Sequence, residues 1–82
     1  MSDYDAYLDY ILTTLRSLKR ESLVEIGKDT DLVRECGLSS LQVMELVERI
    51  EDHFDISIPL NILPDVSTAD DMARKLAELT KG

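Results

Sequence analysis

From Leu41 to Phe54 the chain runs fourteen residues, Leu-Gln-Val-Met-Glu-Leu-Val-Glu-Arg-Ile-Glu-Asp-His-Phe, with no glycine or proline among them. Just before it, Gly37 breaks the chain and Ser39-Ser40-Leu41-Gln42 has the form of a capping box. In such a box the Ser39 hydroxyl and the Gln42 side chain satisfy the free amide donors of a helix start. A helix entered this way must bury one face, so the rest of the chain has to supply its packing partners. At about 100° per residue, Val43, Leu46, Val47, Ile50 and Phe54 share roughly a third of the circumference and form that face. Glu45, Glu48, Glu51 and Asp52 fall opposite, and Leu41 and Met44 land among the acids.

The partners are helical as well. Tyr4, Tyr7, Leu8, Ile11, Leu12, Leu15 and Leu18 recur every three or four positions, predicting a first helix from Tyr4 to Leu18. Lys19 to Gly37 lacks a long period: Gly27, Lys28, Asp29, Thr30 and Asp31 are turn residues between anchors at Leu23, Ile26, Leu32 and Val33. This reads as a long loop with one short helical turn near Leu32. Ile56 and Ile58 alternate, but no second strand exists for them to pair with, so Asp55 to Pro59 is an extended loop. Leu60 to Leu63, between Pro59 and Pro64, has room for one turn, a short third helix. Ser67-Thr68-Ala69-Asp70 then signals a fourth helix, with a hydroxyl cap and an acid three residues on. It runs to about Thr80 on a stripe of Ala69, Met72, Ala73, Leu76 and Leu79, and Lys81-Gly82 end it. The fold class is therefore all-α, a small four-helix bundle with three long helices, a short third one and a long first loop. No repeat or low-complexity segment interrupts it, and residues 1–82 form a single domain.

Seventeen acidic against nine basic residues give a net charge of −8. Nucleic acid and anionic membrane surfaces would repel such a chain, whereas a basic protein surface would complement it. Composition alone leaves open whether the charge serves docking or only solubility. Likewise, Leu41 beside the acids reads either as part of an apolar docking patch or as a residue packed on a neighbouring loop. Cys36 is the sole cysteine, so no internal disulfide forms, and with no signal peptide or membrane span the expected setting is the cytoplasm.

Three chemistries fail on spacing. His53 lies thirteen residues along the helix from Ser40, roughly 20 Å away at about 1.5 Å per residue, so the two cannot form a hydrolase pair. A calcium loop counted from Asp29 would place Val33, Arg34 and Ser40 where ligand, glycine and final acid belong. One cysteine and one histidine cannot supply four zinc ligands, so no metal site is expected.

Gly37-Leu38-Ser39-Ser40-Leu41, followed by Glu45-Leu46 and by Phe54-Asp55-Ile56-Ser57-Ile58-Pro59, resembles the acyl and peptidyl carrier protein family over nearly the whole chain. In that family a Gly-x-Asp-Ser-Leu motif opens the second helix and its serine is esterified by 4'-phosphopantetheine. The resemblance implies that Ser40 is the attachment residue, since Leu41 fixes the register, and that the chain is a carrier rather than an enzyme. It implies partners of these kinds: a phosphopantetheinyl transferase, an enzyme that loads an acyl or aminoacyl group, and a downstream transferase or synthase with a basic docking surface. Leu41, Met44, Glu45, Glu48 and Asp52 would meet those enzymes, and the chain would act as a monomer. Val47, Ile50 and Phe54 could line a cavity for a long acyl chain, although ordinary packing is the better reading of those residues. Ser39 stands where the family has aspartate, and Pro59-Leu60-Asn61-Ile62-Leu63-Pro64-Asp65-Val66 looks like carriers of specialised pathways; both point to a dedicated carrier of lipid, polyketide or similar biosynthesis. The competing reading is an acidic helical interaction module without a prosthetic group.

Overall fold

The structure, a computed structural model, describes residues 3–19 and 25–80. Among the described residues three α-helices and one 3₁₀ helix follow one another: α1, Asp3–Leu18; α2, Ser40–Phe54; the 3₁₀ helix, Leu60–Asp65; and α3, Ala69–Thr80. The core is built where their apolar stripes converge. Ile11 and Leu15 of α1, Leu46, Val47 and Ile50 of α2, and Met72, Ala73 and Leu76 of α3 are all buried. Val43 and Phe54, expected on the same face of α2, are partly buried at its edge. None of the described helices is long and apolar enough to cross a membrane.

The first loop is laced to the start of α3. Leu32 N–H donates to the Ser67 carbonyl at 2.8 Å and Asp70 N–H to the Lys28 carbonyl at 2.9 Å, around an isolated Asp31–Thr68 bridge. The expected turn near Leu32 is present. Asp31 caps it, its Oδ1 accepting from Val33 N–H at 3.0 Å and Arg34 N–H at 2.7 Å, while the Glu35 carboxylate accepts from Asp31 N–H at 3.1 Å. Leu32 and Cys36, four residues apart, share its inner face and are buried, which turns Val33 outward to 61% exposure. Val33 is thus no core anchor, unlike Ile26 and Leu32; Leu23 lies outside the described residues.

Two other expectations are corrected at helix ends. The short helix is not confined between prolines: it runs through Pro64 to Asp65, because in an i→i+3 helix a proline removes one donor and Val66 N–H still reaches the Leu63 carbonyl at 3.0 Å. Leu79 is 46% exposed. The stripe of α3 continues from Leu76 to Thr80 instead, whose Oγ1 accepts the Tyr7 hydroxyl proton at 3.1 Å.

The cap of α3 sits one residue later than Ser67 and Asp70 suggested. Thr68 Oγ1 accepts from Asp71 N–H at 3.1 Å, and the Asp71 carboxylate accepts in return from Ser67 N–H at 3.0 Å and Thr68 N–H at 3.2 Å. Asp70 is turned inward, taking the Tyr4 hydroxyl bond and pairing with Arg74 at 3.0 Å. This Asp70 contact, together with burial, raises the Tyr4 phenol above its ordinary value. The Asp71 carboxyl is held below the usual 3.8, first by the Ser67 amide, and further by Thr68 and the Arg74 charge, against an opposing effect of burial.

A carboxyl with a lowered folded-state pKa contributes stability that is complete above its unfolded value and lost as pH falls through the folded one. Asp71→Asn should therefore lower stability at pH 7 and flatten the acid limb of urea-unfolding free energy below about pH 4; a variant with an unchanged limb would show that the cap bonds lie elsewhere.

Candidate functional site at the start of the second helix

Gly37 adopts φ 70°, a left-handed conformation that favours glycine. The chain reverses there, Leu38 N–H donates to the Leu32 carbonyl at 3.0 Å, and the Leu38 side chain is buried. Ser39 follows in extended conformation, φ −78° and ψ 166°, as the helix cap. Its Oγ accepts from Gln42 N–H at 3.2 Å, while Ser39 N–H donates to Gln42 Oε1 at 3.1 Å, the reciprocal pair foreseen from the sequence.

Ser40 is the first residue of α2 and is exposed. Gln42 N–H is used by the cap and Val43 N–H by the Ser39 carbonyl at 2.9 Å, so the amides of Ser40 and Leu41 have no intrahelical acceptor. Unlike α1, which opens with Asp3 and Asp5, and α3, with Asp70 and Asp71, α2 has no acid in its first turn. The positive end of its dipole is therefore not neutralised by its own helix and suits an added anionic group.

Beyond Ser40 the surface is mixed. Leu41 is 78% exposed and does not pack on a neighbouring loop among the described residues. Met44 is only partly exposed, and Glu45 pairs with Arg49 at 3.1 Å, whereas Glu48 and Asp52, one turn apart, are open. Glu51 does not join them: its carboxylate accepts from Ile58 N–H at 2.8 Å and holds the chain after α2. His53 is exposed and stacked on Tyr10, with ring centroids 4.1 Å apart, at the opposite end of the helix from Ser40. Cys36 is buried, and burial, then the charges of Glu35 and Asp31, pushes its thiol up. Among the described residues no cluster of His, Cys, Asp and Glu could hold a metal ion. Ser40 is thus exposed, and among the described residues no histidine or cysteine lies beside it.

Residues 9–76 match the family model described as the phosphopantetheine attachment site. The chain belongs to the acyl carrier family. Its members carry 4'-phosphopantetheine covalently and are carriers rather than enzymes. The chain is 38% identical over 56 residues to a protein of Caulobacter vibrioides assigned as an acyl carrier protein, covering 68% of this chain and 65% of that one. It is 35% identical over 74 residues to an acyl carrier protein of Streptomyces coelicolor, covering 90% of this chain and 77% of the relative. A solved structure from Mycobacterium tuberculosis, assigned as an acyl carrier protein, superposes with a TM-score of 0.75 at 26% identity, over 89% of this chain and 97% of the other. The carrier fold expected from the sequence is the fold observed.

Sequence reasoning missed three exposed apolar residues, Val33, Leu79 and Leu60, the last 56% exposed. Period alone could not separate Val33 from Leu32, and the 3₁₀ helix is too short to show a face. The Glu45–Arg49 pair has the i, i+4 spacing of a helical ion pair, a signal that the sequence does carry. Removing the cap hydroxyl in Ser39→Ala should cost about 0.5–2 kcal/mol of stability in denaturant unfolding, while Ser39→Asp, which keeps an acceptor there, should cost little.

Proposed function

We propose that the chain is a single carrier domain that holds acyl or aminoacyl cargo on a phosphopantetheine arm attached to Ser40, in a dedicated biosynthetic pathway of the cytoplasm. One observation supports this most: in a chain of this family, Ser40 is exposed at the first position of α2, beside free amides and with no acid in that turn. When bound, the arm supplies a terminal thiol that carries cargo as a thioester. The residues fit such a group. Ser40 Oγ offers the point of attachment, and the amides of Ser40 and Leu41 and the helix dipole offset the negative charge of a phosphodiester.

Ser40 gives up its hydroxyl proton only with help, because a serine hydroxyl is weakly nucleophilic and His53 stands about 20 Å off by helical rise. The base and the group donor come from a phosphopantetheinyl transferase. Cys36 does not substitute for the arm's thiol, being buried and kept protonated. Leu41 gives loading and downstream enzymes an apolar contact, and Glu48 and Asp52 give them charge, with Met44 and Glu45 at the edge. Glu45 joins by exchanging Arg49 for a partner's cation, an exposed pair worth only about 0.3–0.5 kcal/mol. Ser39, in place of aspartate, preserves the cap while withdrawing one carboxylate from those partners, which favours enzymes adapted to this carrier.

Co-expression with a broad-specificity phosphopantetheinyl transferase should raise the intact mass by one phosphopantetheine unit, and Ser40→Ala should abolish the gain. An unchanged wild-type mass beside converting controls would favour an interaction module without a prosthetic group, and a gain persisting in Ser40→Ala would move the attachment to another serine. Transferase binding to Ser40→Ala should weaken as salt rises from low to physiological strength, because exposed charges are screened within about 8 Å at about 0.15 M. Titration calorimetry at several salt concentrations checks this, and glutamine at Glu48 with asparagine at Asp52 should reduce the slope.

A further inference from the structure

At the far end of α2 from Ser40, the first helix and the last residues of the second enclose a groove of 670 Å³, within the range of cavities that take small ligands or a few side chains. Its floor is aromatic. The His53 ring lies nearly parallel on Tyr10, 4.1 Å between centroids at 15°, and Phe54 stands edge-on to both at 4.7 and 5.5 Å. Phe54 also meets Tyr7 edge-to-face at 4.6 Å, tying the cluster to the core, and the Tyr10 hydroxyl donates to the Arg49 carbonyl at 3.3 Å. The rings are thus held in place before any partner arrives.

The wall is acidic: Asp5 and Asp9, one helical turn apart on α1, line the groove, and Asp9 is exposed. Among the described residues no lysine or arginine lines it. Aromatic faces attract a guanidinium by cation–π and stacking contact, and a carboxylate beside them accepts its N–H groups. We propose that this groove is a second docking point, which receives an arginine side chain presented by a basic segment of a partner protein. Charge complementarity selects that occupant, since a groove with an acidic wall on a chain of net charge −8 disfavours anionic ligands and a second copy of itself. The rise of α2 separates it from Ser40 by about 20 Å, so a partner held here leaves the hydroxyl clear. Occupancy of the groove is independent of what Ser40 carries.

The test uses ¹⁵N-labelled Ser40→Ala protein and a blocked, alanine-based helical peptide with arginines spaced one turn apart. Amide shifts should saturate at Asp9, Tyr10, His53 and Phe54. Lysine in place of arginine should weaken binding, citrulline should abolish it, and Asp9→Asn, an exposed change that leaves the core intact, should weaken it by about two- to fivefold. Shifts that spread evenly over the acidic surface or centre on Glu48 and Asp52 would overturn the proposal. So would equal binding of the citrulline peptide, an unaffected Asp9→Asn, or groove shifts that depend on protein concentration alone and so report a second copy.

Discussion

Two reciprocal hydrogen bonds between Ser39 and Gln42 decide where α2 begins, and the exposure of Ser40 follows from that point. A start one residue earlier or later would turn every side chain of α2 by about 100° relative to its cap. The core permits no such turn, because Leu46, Val47 and Ile50 are fixed among the buried residues of α1 and α3. Cap and core therefore agree on one register. Gly37 completes it by reversing the chain, so that Leu38 goes inward and the two serines go out.

The segment that leads to Gly37 needs an anchor of its own, since a long loop gains little from local structure. It takes that anchor from α3: the amides of Leu32 and Asp70 bond across between the loop and the first turn of α3. That turn is in turn tied to α1, because Asp70 accepts the Tyr4 hydroxyl bond. Residues far apart in sequence thus hold the platform from which Ser40 projects. Loss of the α3 cap would be felt at the loop before it was felt at the serine.

What could be read from the chain was whatever is decided within one turn. The three long helices, the Ser39 cap and the outward place of Ser40 rest on period and on neighbours three or four residues away, and these were legible. The α3 cap is ambiguous by one residue in the sequence, because Ser67 with Asp70 and Thr68 with Asp71 satisfy the same local rule. Tertiary structure breaks that tie by drawing Asp70 inward to Tyr4. Val33 and Leu79 were misplaced for a related reason, each lying one helical step from a residue that a remote partner selected. Nothing local relates Tyr10 to His53, so the aromatic groove left no trace in the sequence.

The two ends of α2 differ in ways that suit the two roles proposed for them. The first turn is uncluttered, with an exposed hydroxyl, an exposed Leu41 and an uncompensated dipole, which suits a place where a group is added and then handled. The last turn is braced by stacked rings and by Glu51 holding Ile58, which suits a place that is gripped. A net charge of −8 attracts a basic surface from any direction, but a field alone does not orient it. Orientation requires contacts separated along the surface, and α2 provides the spacing, with Glu48 between its ends. A rigid helix about 20 Å long, fixed by a cap at one end and by aromatic packing at the other, is then the ruler against which a partner enzyme would align Ser40.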